Sequence, residues 1–184
     1  MSTFEYVSIL LSIVVSLGLA HLLHGIASLI KAGVSRWSTT VAGWNLYAAL
    51  LCVDYWFSVW HVRADPVWSL GFVVFLLATG SLLYLTCHLV MPDSEHGRPV
   101  DMVEFQSTRG RRYLSAMFVY QACGALANLA LPGFQSTTMF VLSGLQLGVL
   151  GVAWARPTAH VQRWALVALY LLFGYYAVQF IPAL

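Results

Sequence analysis

The stretch DSEHGRPVDMVEFQSTRGRR, residues 93–112, stands apart from the rest of this chain by its charge. The chain has nine Lys and Arg residues and seven Asp and Glu residues, and half of these 16 side chains lie within 93–112. Long apolar segments run on both sides of the stretch. This contrast predicts a polar loop that joins two groups of membrane helices.

The composition favours a membrane protein over a soluble one. Apolar residues make up 60% of the 184 residues and charged residues 9%, whereas a soluble domain has about 45–50% and about 25%. A soluble fold of this length cannot bury so much apolar surface, so the lipid bilayer is the first expected partner. The net charge of +2 is small. Because the sequence has no basic stripe, we expect no nucleic-acid partner.

Six apolar segments are long enough to span a bilayer, which takes about 20 residues per helix. A helix also satisfies every backbone amide inside its own segment, as hydrocarbon requires, and turn-forming residues separate the segments. We therefore predict an all-α integral membrane protein, a six-transmembrane-helix bundle that forms one domain over 1–184. The predicted helices 1 to 6 cover about 4–31, 41–63, 67–91, 112–131, 135–155 and 161–182.

Positive charge collects on one side of the predicted bundle. The loops after helices 1, 3 and 5, together with the helix ends that adjoin them, carry eight of the nine Lys and Arg residues, and the opposite side carries Arg63. Basic residues are enriched in cytoplasmic loops. We therefore expect 93–112 to be a charged cytoplasmic loop between helices 3 and 4. Both termini are expected outside, on the periplasmic or extracellular face (N-out/C-out).

Part of the charged loop has the pattern of a helix start. Asp101 stands where an N-cap is expected, and Glu104 three residues later completes a capping box, so helix 4 is predicted to begin near 101 and to reach lipid near 112. Three arginines would then lie at headgroup depth: Arg109, Arg111 and Arg112. Anchoring to anionic lipid accounts for them. A partner or ligand site on the loop is the alternative.

Asp54 lies near the middle of predicted helix 2, where a carboxylate costs about 2.5–3.5 kcal/mol. Helical spacing places three more polar side chains on its side of the helix: Tyr47, Ser58 and His61. The opposite side bears Trp56 and Trp60 and would face lipid or a flat packing partner. Asp54 is therefore expected inside the bundle. It either belongs to a proton or solute pathway or is a hydrogen-bonded acid that fixes helix packing.

Polar side chains also recur on helices 1, 3 and 4. His21 and His24 share a face of helix 1, and His88 lies at a similar depth on helix 3. Gln121 and Asn128 lie a heptad apart on helix 4. These five residues are further candidates for the lining of a pathway. For the histidines, structural hydrogen bonding and a titrating or ligand-binding role both remain open.

Small residues recur with the spacing of closely packed membrane helices. Helix 5 has Gly144, Gly148 and Gly151 on one face. Helix 1 has a residue of this kind every fourth position: Ser8, Ser12, Ser16 and Ala20, followed by His24. Both patterns predict faces where a neighbouring helix approaches closely.

The three cysteines, Cys52, Cys87 and Cys123, fall in three different apolar segments and form no CxxC pair. We interpret them as small buried apolar residues. Membrane enzymes that couple disulfide formation to quinone need paired cysteines, so that class is set aside. No metal site is predicted, because the chain has no Cys and His at ligand spacing.

Enzyme motifs such as GxSxG, HExxH or a Walker loop are absent from the sequence, and we expect no enzyme. No cofactor is predicted. A single haem b is the weaker alternative, held between helices 1 and 3 by His88 and either His21 or His24.

Four short motifs carry a resemblance: FEYVS at 4–8, GLAHLLHG at 18–25, DMVEF at 101–105 and RRY at 111–113. Together they resemble an uncharacterised family of small bacterial multi-pass inner-membrane proteins with no known activity. The resemblance covers helices 1 to 4. It implies location in the bacterial inner (plasma) membrane and implies nothing about activity.

Two functions fit these patterns. The first is a homo-oligomeric channel or facilitator for a small solute or protons, lined by the polar faces of helices 1 to 4. The alternative is a non-catalytic accessory or sensor subunit that binds another membrane protein. Short loops and the glycines of helix 5 favour the alternative.

Overall fold

The computed structural model describes residues 3–64, 68–92, 99–130 and 137–180. Within these ranges the chain forms six α-helices, as predicted, and two very short strands. The helices are α1 (Thr3–Ala32), α2 (Thr39–His61), α3 (Leu70–Val90), α4 (Met102–Ala130), α5 (Thr137–Ala155) and α6 (Ala159–Phe180). The strands are β1 (Val34–Arg36) and β2 (Val100–Asp101), and a 3₁₀ turn, Val62–Ala64, follows α2.

Four of the six helices are long and apolar enough to cross a membrane: α1, α3, α5 and α6. The other two carry more polar side chains. Helix α2 contains Asn45, Asp54 and three tryptophans, and the first part of α4 contains Glu104 and the three arginines. The protein is therefore a membrane protein by the length and composition of its helices.

The chain forms two compact units, Met1–Arg109 and Gly110–Leu184, with the boundary inside α4. They are called the N-terminal unit and the C-terminal unit below. The prediction of one domain over 1–184 stays a prediction.

In the N-terminal unit, α1 packs closely on α3 through two glycines a heptad apart. A β-carbon at Gly18 would lie 3.4 Å from the Cys87 Sγ and 3.6 Å from the Tyr84 Cα. A β-carbon at Gly25 would overlap the Met91 side chain. Three leucines are buried along the same side of α1: Leu11, Leu22 and Leu29. Small residues let two helix backbones approach closely, and here glycine has that role.

The serine stripe predicted to pack helix 1 lies on a different side of α1. Ser16, Ala20 and His24 are exposed. The hydroxyl of Ser12 donates to the carbonyl of Ser8 within the same helix, at 2.6 Å. The described buried positions of α1 follow Gly18 and the leucines instead, so the approach of another helix to the serine stripe stays a prediction.

Helix α2 packs on α3, and its Trp44 and Tyr47 side chains are fully buried. The Tyr55 hydroxyl donates to the carbonyl of Leu76 at 2.5 Å. The Asn45 Nδ2 donates to the carbonyl of Val90 at 3.2 Å. That carbonyl belongs to the last turn of α3, where no partner exists within the helix. Side chains of α2 thus satisfy backbone groups of α3.

Strands β1 and β2 pair in parallel and join the segment after α1 to the start of α4. The Arg36 guanidinium binds the Asp101 Oδ2, with the Nε at 2.7 Å and the Nη2 at 2.6 Å. The other oxygen, Oδ1, accepts from the backbone N–H groups of Val103 and Glu104, both at 3.0 Å. Asp101 therefore caps α4, as its position in the sequence predicts. We call β1, β2 and the Arg36–Asp101 pair the strand clasp.

In the C-terminal unit, polar side chains join α4 to α5 at three levels. Gln121 donates to Gln146 at 2.7 Å, Asn128 donates to Ser143 at 3.0 Å, and the Trp154 indole donates to Ser115 at 3.0 Å. Positions rise along α4 as they fall along α5, which is the register of antiparallel neighbours. Interhelical hydrogen bonds of this kind stabilise helix pairs in lipid by about 0.6 kcal/mol each.

Candidate functional site

Two histidines of the N-terminal unit stack on each other between α1 and α3. The rings of His21 and His88 are 4.1 Å apart between centroids and inclined by 30°. Tyr84 meets His88 edge to face, with centroids 6.2 Å apart and an angle of 89°. Gly18 makes this arrangement possible, because α1 approaches the Tyr84 backbone closely there. The structure thus brings together His21 and His88, two predicted site residues.

These polar side chains lie on the outside of the helices. His24 and His88 are exposed, His21 is half-buried, and Tyr84 is 37% exposed. We call His21, His24, Tyr84 and His88 the histidine face. Ionisable side chains within membrane helices almost always face a bundle interior or a water-filled cavity. The histidine face on the outside of α1 and α3 departs from this rule, and we therefore take it as the candidate functional site.

The chemistry open to the histidine face is proton exchange and hydrogen bonding. An imidazole takes up or releases a proton near neutral pH, and in its neutral form it both donates and accepts. The two stacked rings differ in access, because the Nε2 of His21 is buried and His88 is exposed. Tyr84 adds a hydroxyl next to them. Such a set can pass a proton or bind a small polar solute, and it contains no nucleophile with an adjacent base.

The predicted site on α2 is only partly within the described residues. Tyr47 is fully buried, and Asp54 and Ser58 are half-buried with the Asp54 Oδ1 itself buried. The His61 side chain lies outside the described residues. Helical spacing places Cys52 on the opposite side of α2, with Trp56 and Trp60, and its sulfur lies 3.5 Å from that of Cys87 on α3. Whether Asp54 belongs to a pathway stays a prediction.

The two amides predicted to line a pathway on helix 4 are engaged with α5. Gln121 bonds to Gln146 and Asn128 bonds to Ser143. These bonds explain the presence of both amides as contacts between helices. The partner residues were missed by the sequence analysis, although the spacing of Ser143 and Gln146, three residues apart on one face of helix 5, was a usable signal.

The arginines at the start of α4 lie on the surface, as anchoring residues do. Arg109, Arg111 and Arg112 are all exposed. The Arg111 guanidinium lies 5.8 Å from the ring centroid of Trp154 in the C-terminal unit. Arginine and tryptophan together are typical of the headgroup region of a bilayer.

The cysteines are placed differently from the sequence interpretation in one respect. Cys52 and Cys87 are buried free thiols, as expected of small apolar residues, but their sulfurs lie only 3.5 Å apart between α2 and α3. Cys123 is a half-buried free cysteine. Sequence spacing carried no signal of the pair, because the contact depends on how two helices are rotated about their axes.

The positions of the histidines and cysteines also bear on metal and haem ligation. Among the described residues, no group of three or more His, Cys, Asp or Glu side chains is placed to hold a metal ion. The rings of His21 and His88 contact each other directly. Axial ligands stand on opposite faces of a porphyrin, so these two histidines do not clamp a haem in this arrangement.

Comparison of the chain with known proteins found no matching family model, no matching curated protein and no matching solved structure.

Proposed function

We propose that the protein crosses the bacterial inner membrane six times, with α2 and α4 as spans beside the four apolar helices. Both termini lie on the periplasmic face and 93–112 lies in the cytoplasm. The charge distribution supports this topology, since eight of nine basic residues fall on one side. The location in a bacterial membrane rests on the resemblance of the four motifs.

The proposed function is that of a homo-oligomeric channel or facilitator for protons or a small polar solute. The exposed histidine face carries this proposal. Polar groups turned towards acyl chains are costly, and the cost disappears when a second copy covers them. Copies arranged around an axis with α1 and α3 inside would surround a path lined by His21, His24, Tyr84 and His88. The path would then run between protomers, and not through the packed interior of α1, α2 and α3 within one protomer.

Flux through reconstituted protein tests this proposal. Liposomes containing the purified protein and a pH-sensitive dye should show faster proton or ammonium equilibration than empty liposomes. His88→Phe should reduce the rate several-fold, because phenylalanine keeps the ring stacking but loses both nitrogens. His160→Phe is the matched control, since His160 is an exposed histidine that contacts Trp164 on α6. Equal rates in His88→Phe and the unsubstituted protein would exclude the histidine face as the path.

The second candidate function is a non-catalytic accessory subunit of a membrane complex. Its supporting observation is on α5, where no described atom of the C-terminal unit lies within 4 Å of a β-carbon position at Gly144 or Gly148. Both glycines are exposed. Such a face suits a helix from another protein.

Purification in mild detergent separates the two candidates. A stoichiometric foreign protein that is lost in Gly148→Leu supports the accessory role, with Gly174→Leu as a control at an equally open glycine of α6. A homo-oligomer of defined size supports the channel. The weaker haem alternative predicts a Soret band from the purified protein, and a spectrum without it dismisses that alternative.

A further inference from the structure

The contact between Cys52 and Cys87 is chemically distinct from ordinary helix packing. Their sulfurs lie 3.5 Å apart, although 35 residues separate them in sequence. Cys52 is 2% exposed and Cys87 is fully buried. Neither sulfur is oxidised, since both cysteines are free. Two free thiols thus face each other in the core of the N-terminal unit, one on α2 and one on α3.

The surroundings of the pair leave room for the sulfurs to move. A disulfide needs the two sulfurs about 2.05 Å apart, so they must approach each other by rotation about the Cα–Cβ bonds. Gly18 of α1 lies against Cys87, and a β-carbon at residue 18 would lie 3.4 Å from its Sγ. Because residue 18 is glycine, it places no side chain against the Cys87 sulfur.

We propose that Cys52 and Cys87 form a redox-active dithiol, which a small peroxide oxidises to a disulfide between α2 and α3. Burial selects the oxidant. A reagent as large as glutathione cannot reach sulfurs enclosed by three helices, whereas hydrogen peroxide is small, uncharged and close in size to water. Cys87 precedes His88 of the histidine face in sequence, but the proposal does not depend on the proposed channel function.

The reaction balances without any further reactant. One cysteine sulfur attacks a peroxide oxygen, the O–O bond breaks, and the thiol proton leaves with the departing oxygen as water; the sulfur is then a sulfenic acid. The second sulfur displaces the hydroxyl group from the sulfenic acid, and the S–S bond forms. Its thiol proton joins that hydroxyl as a second water. Two electrons pass from the two sulfurs to the two oxygens of the peroxide.

The test uses Cys123→Ser protein, which keeps both thiols of the pair and cannot form other disulfides through Cys123. The protein in lipid nanodiscs is treated with hydrogen peroxide, quenched, denatured, alkylated with N-ethylmaleimide and weighed by intact mass spectrometry. Without peroxide two alkyl groups are expected. After peroxide none is expected, together with a loss of two hydrogen atoms that a reductant reverses. Peptide mapping should place the link between Cys52 and Cys87.

Two controls define the result. Cys52→Ser in the Cys123→Ser background leaves one thiol and should give no disulfide within the chain. Oxidised glutathione should leave both thiols of the folded Cys123→Ser protein free, and a glutathione adduct would contradict the enclosed site. Two alkylatable thiols that persist after a peroxide dose that oxidises the denatured chain would overturn the proposal. So would oxygen addition without loss of hydrogen, because it would show that the second sulfur does not reach the first.

Discussion

Gly18 and Gly25 set the distance between α1 and α3, and they differ in what a larger residue would meet. A β-carbon at Gly18 makes contacts of 3.4 Å and longer, which are ordinary van der Waals distances. At Gly25 it overlaps Met91, whose flexible side chain is buried and has to move. Alanine is therefore tolerated at residue 18, while larger side chains push the helices apart.

Gly18→Leu should lower the free energy of unfolding by about 1–3 kcal/mol, the usual cost of overfilling a packed contact. Gly18→Ala should be neutral or stabilising by up to about 1 kcal/mol, because alanine favours the helix. The measurement is the thermal midpoint in mild detergent. Gly174→Leu is the matched control on α6, where space is open. Equal midpoints for Gly18→Leu and Gly174→Leu would show that α1 does not approach α3 as described.

Asp101 divides its two carboxylate oxygens between two tasks. One oxygen binds Arg36 and the other caps α4. Asp101→Asn should keep the cap, because asparagine is also a good N-cap, and lose the ion pair. Asp101→Ala should lose both. Amide exchange at Val103 and Glu104 should therefore be slowest in the unsubstituted protein, faster with asparagine and fastest with alanine. Identical exchange with asparagine and alanine would mean that the cap contributes nothing.

The strand clasp should also respond to acid. The backbone N–H of Glu104, together with the Arg36 guanidinium, holds the pKa of Asp101 below its ordinary value of 3.8. A carboxyl whose pKa is lower in the folded state stabilises that state above its unfolded pKa and loses the effect as pH falls through the folded pKa. Exchange protection at the start of α4, corrected for intrinsic rates, should thus be constant above about pH 5 and fall below 3.8. Asp101→Asn should show no such fall.

At the scale of elements, the pairing of α4 with α5 depends on amide contacts as well as apolar ones. Gln121→Leu and Gln146→Leu should each destabilise the C-terminal unit, because each leaves the other amide without its partner. The double variant should recover part of the loss, giving a coupling of about 0.6 kcal/mol. Steric trapping or detergent titration of the four proteins measures it. Strict additivity would show that the bond between Gln121 and Gln146 contributes nothing.

The sequence predicted where the helices lie along the chain, but it did not predict which side of each helix is buried. Helix 3, expected over 67–91, is observed as Leu70–Val90, because the length of an apolar run depends only on local composition. The buried side of α1 follows Gly18 and Gly25 and not the serine stripe. That choice depends on which neighbour is present, and it cannot be read from one helix. The contact between Cys52 and Cys87 could not be predicted for the same reason, because it depends on how α2 and α3 face each other.

The strand clasp was unpredictable for another reason. A strand of three residues that pairs with a strand of two residues is too short to show a recognisable alternating pattern. Its partners are 65 residues apart in the chain, beyond the range of any local signal. Asp101, in contrast, was recognised, because capping depends on residues within one turn of the helix.

At the scale of the whole molecule, the proposed topology makes a direct prediction for chemical labelling. In a background with all three cysteines replaced by serine, Ser107→Cys and Ser69→Cys place one exposed thiol at the start of α4 and of α3. A membrane-impermeant maleimide should label Ser107→Cys only in inside-out vesicles and Ser69→Cys only in right-side-out spheroplasts. The reverse pattern would show that the protein has the opposite orientation in the membrane. Labelling of both residues from the same side would show that α3, the helix between them, does not cross the membrane.

The strand clasp has a consequence for biosynthesis. A ribosome completes Arg36 while Asp101 is still 65 codons from being read. During that interval α2 and α3 are synthesised, and β1 has no strand to pair with. The first three helices are therefore synthesised before the strand clasp can form. The clasp links them to the start of α4 only after Asp101 has been added to the nascent chain.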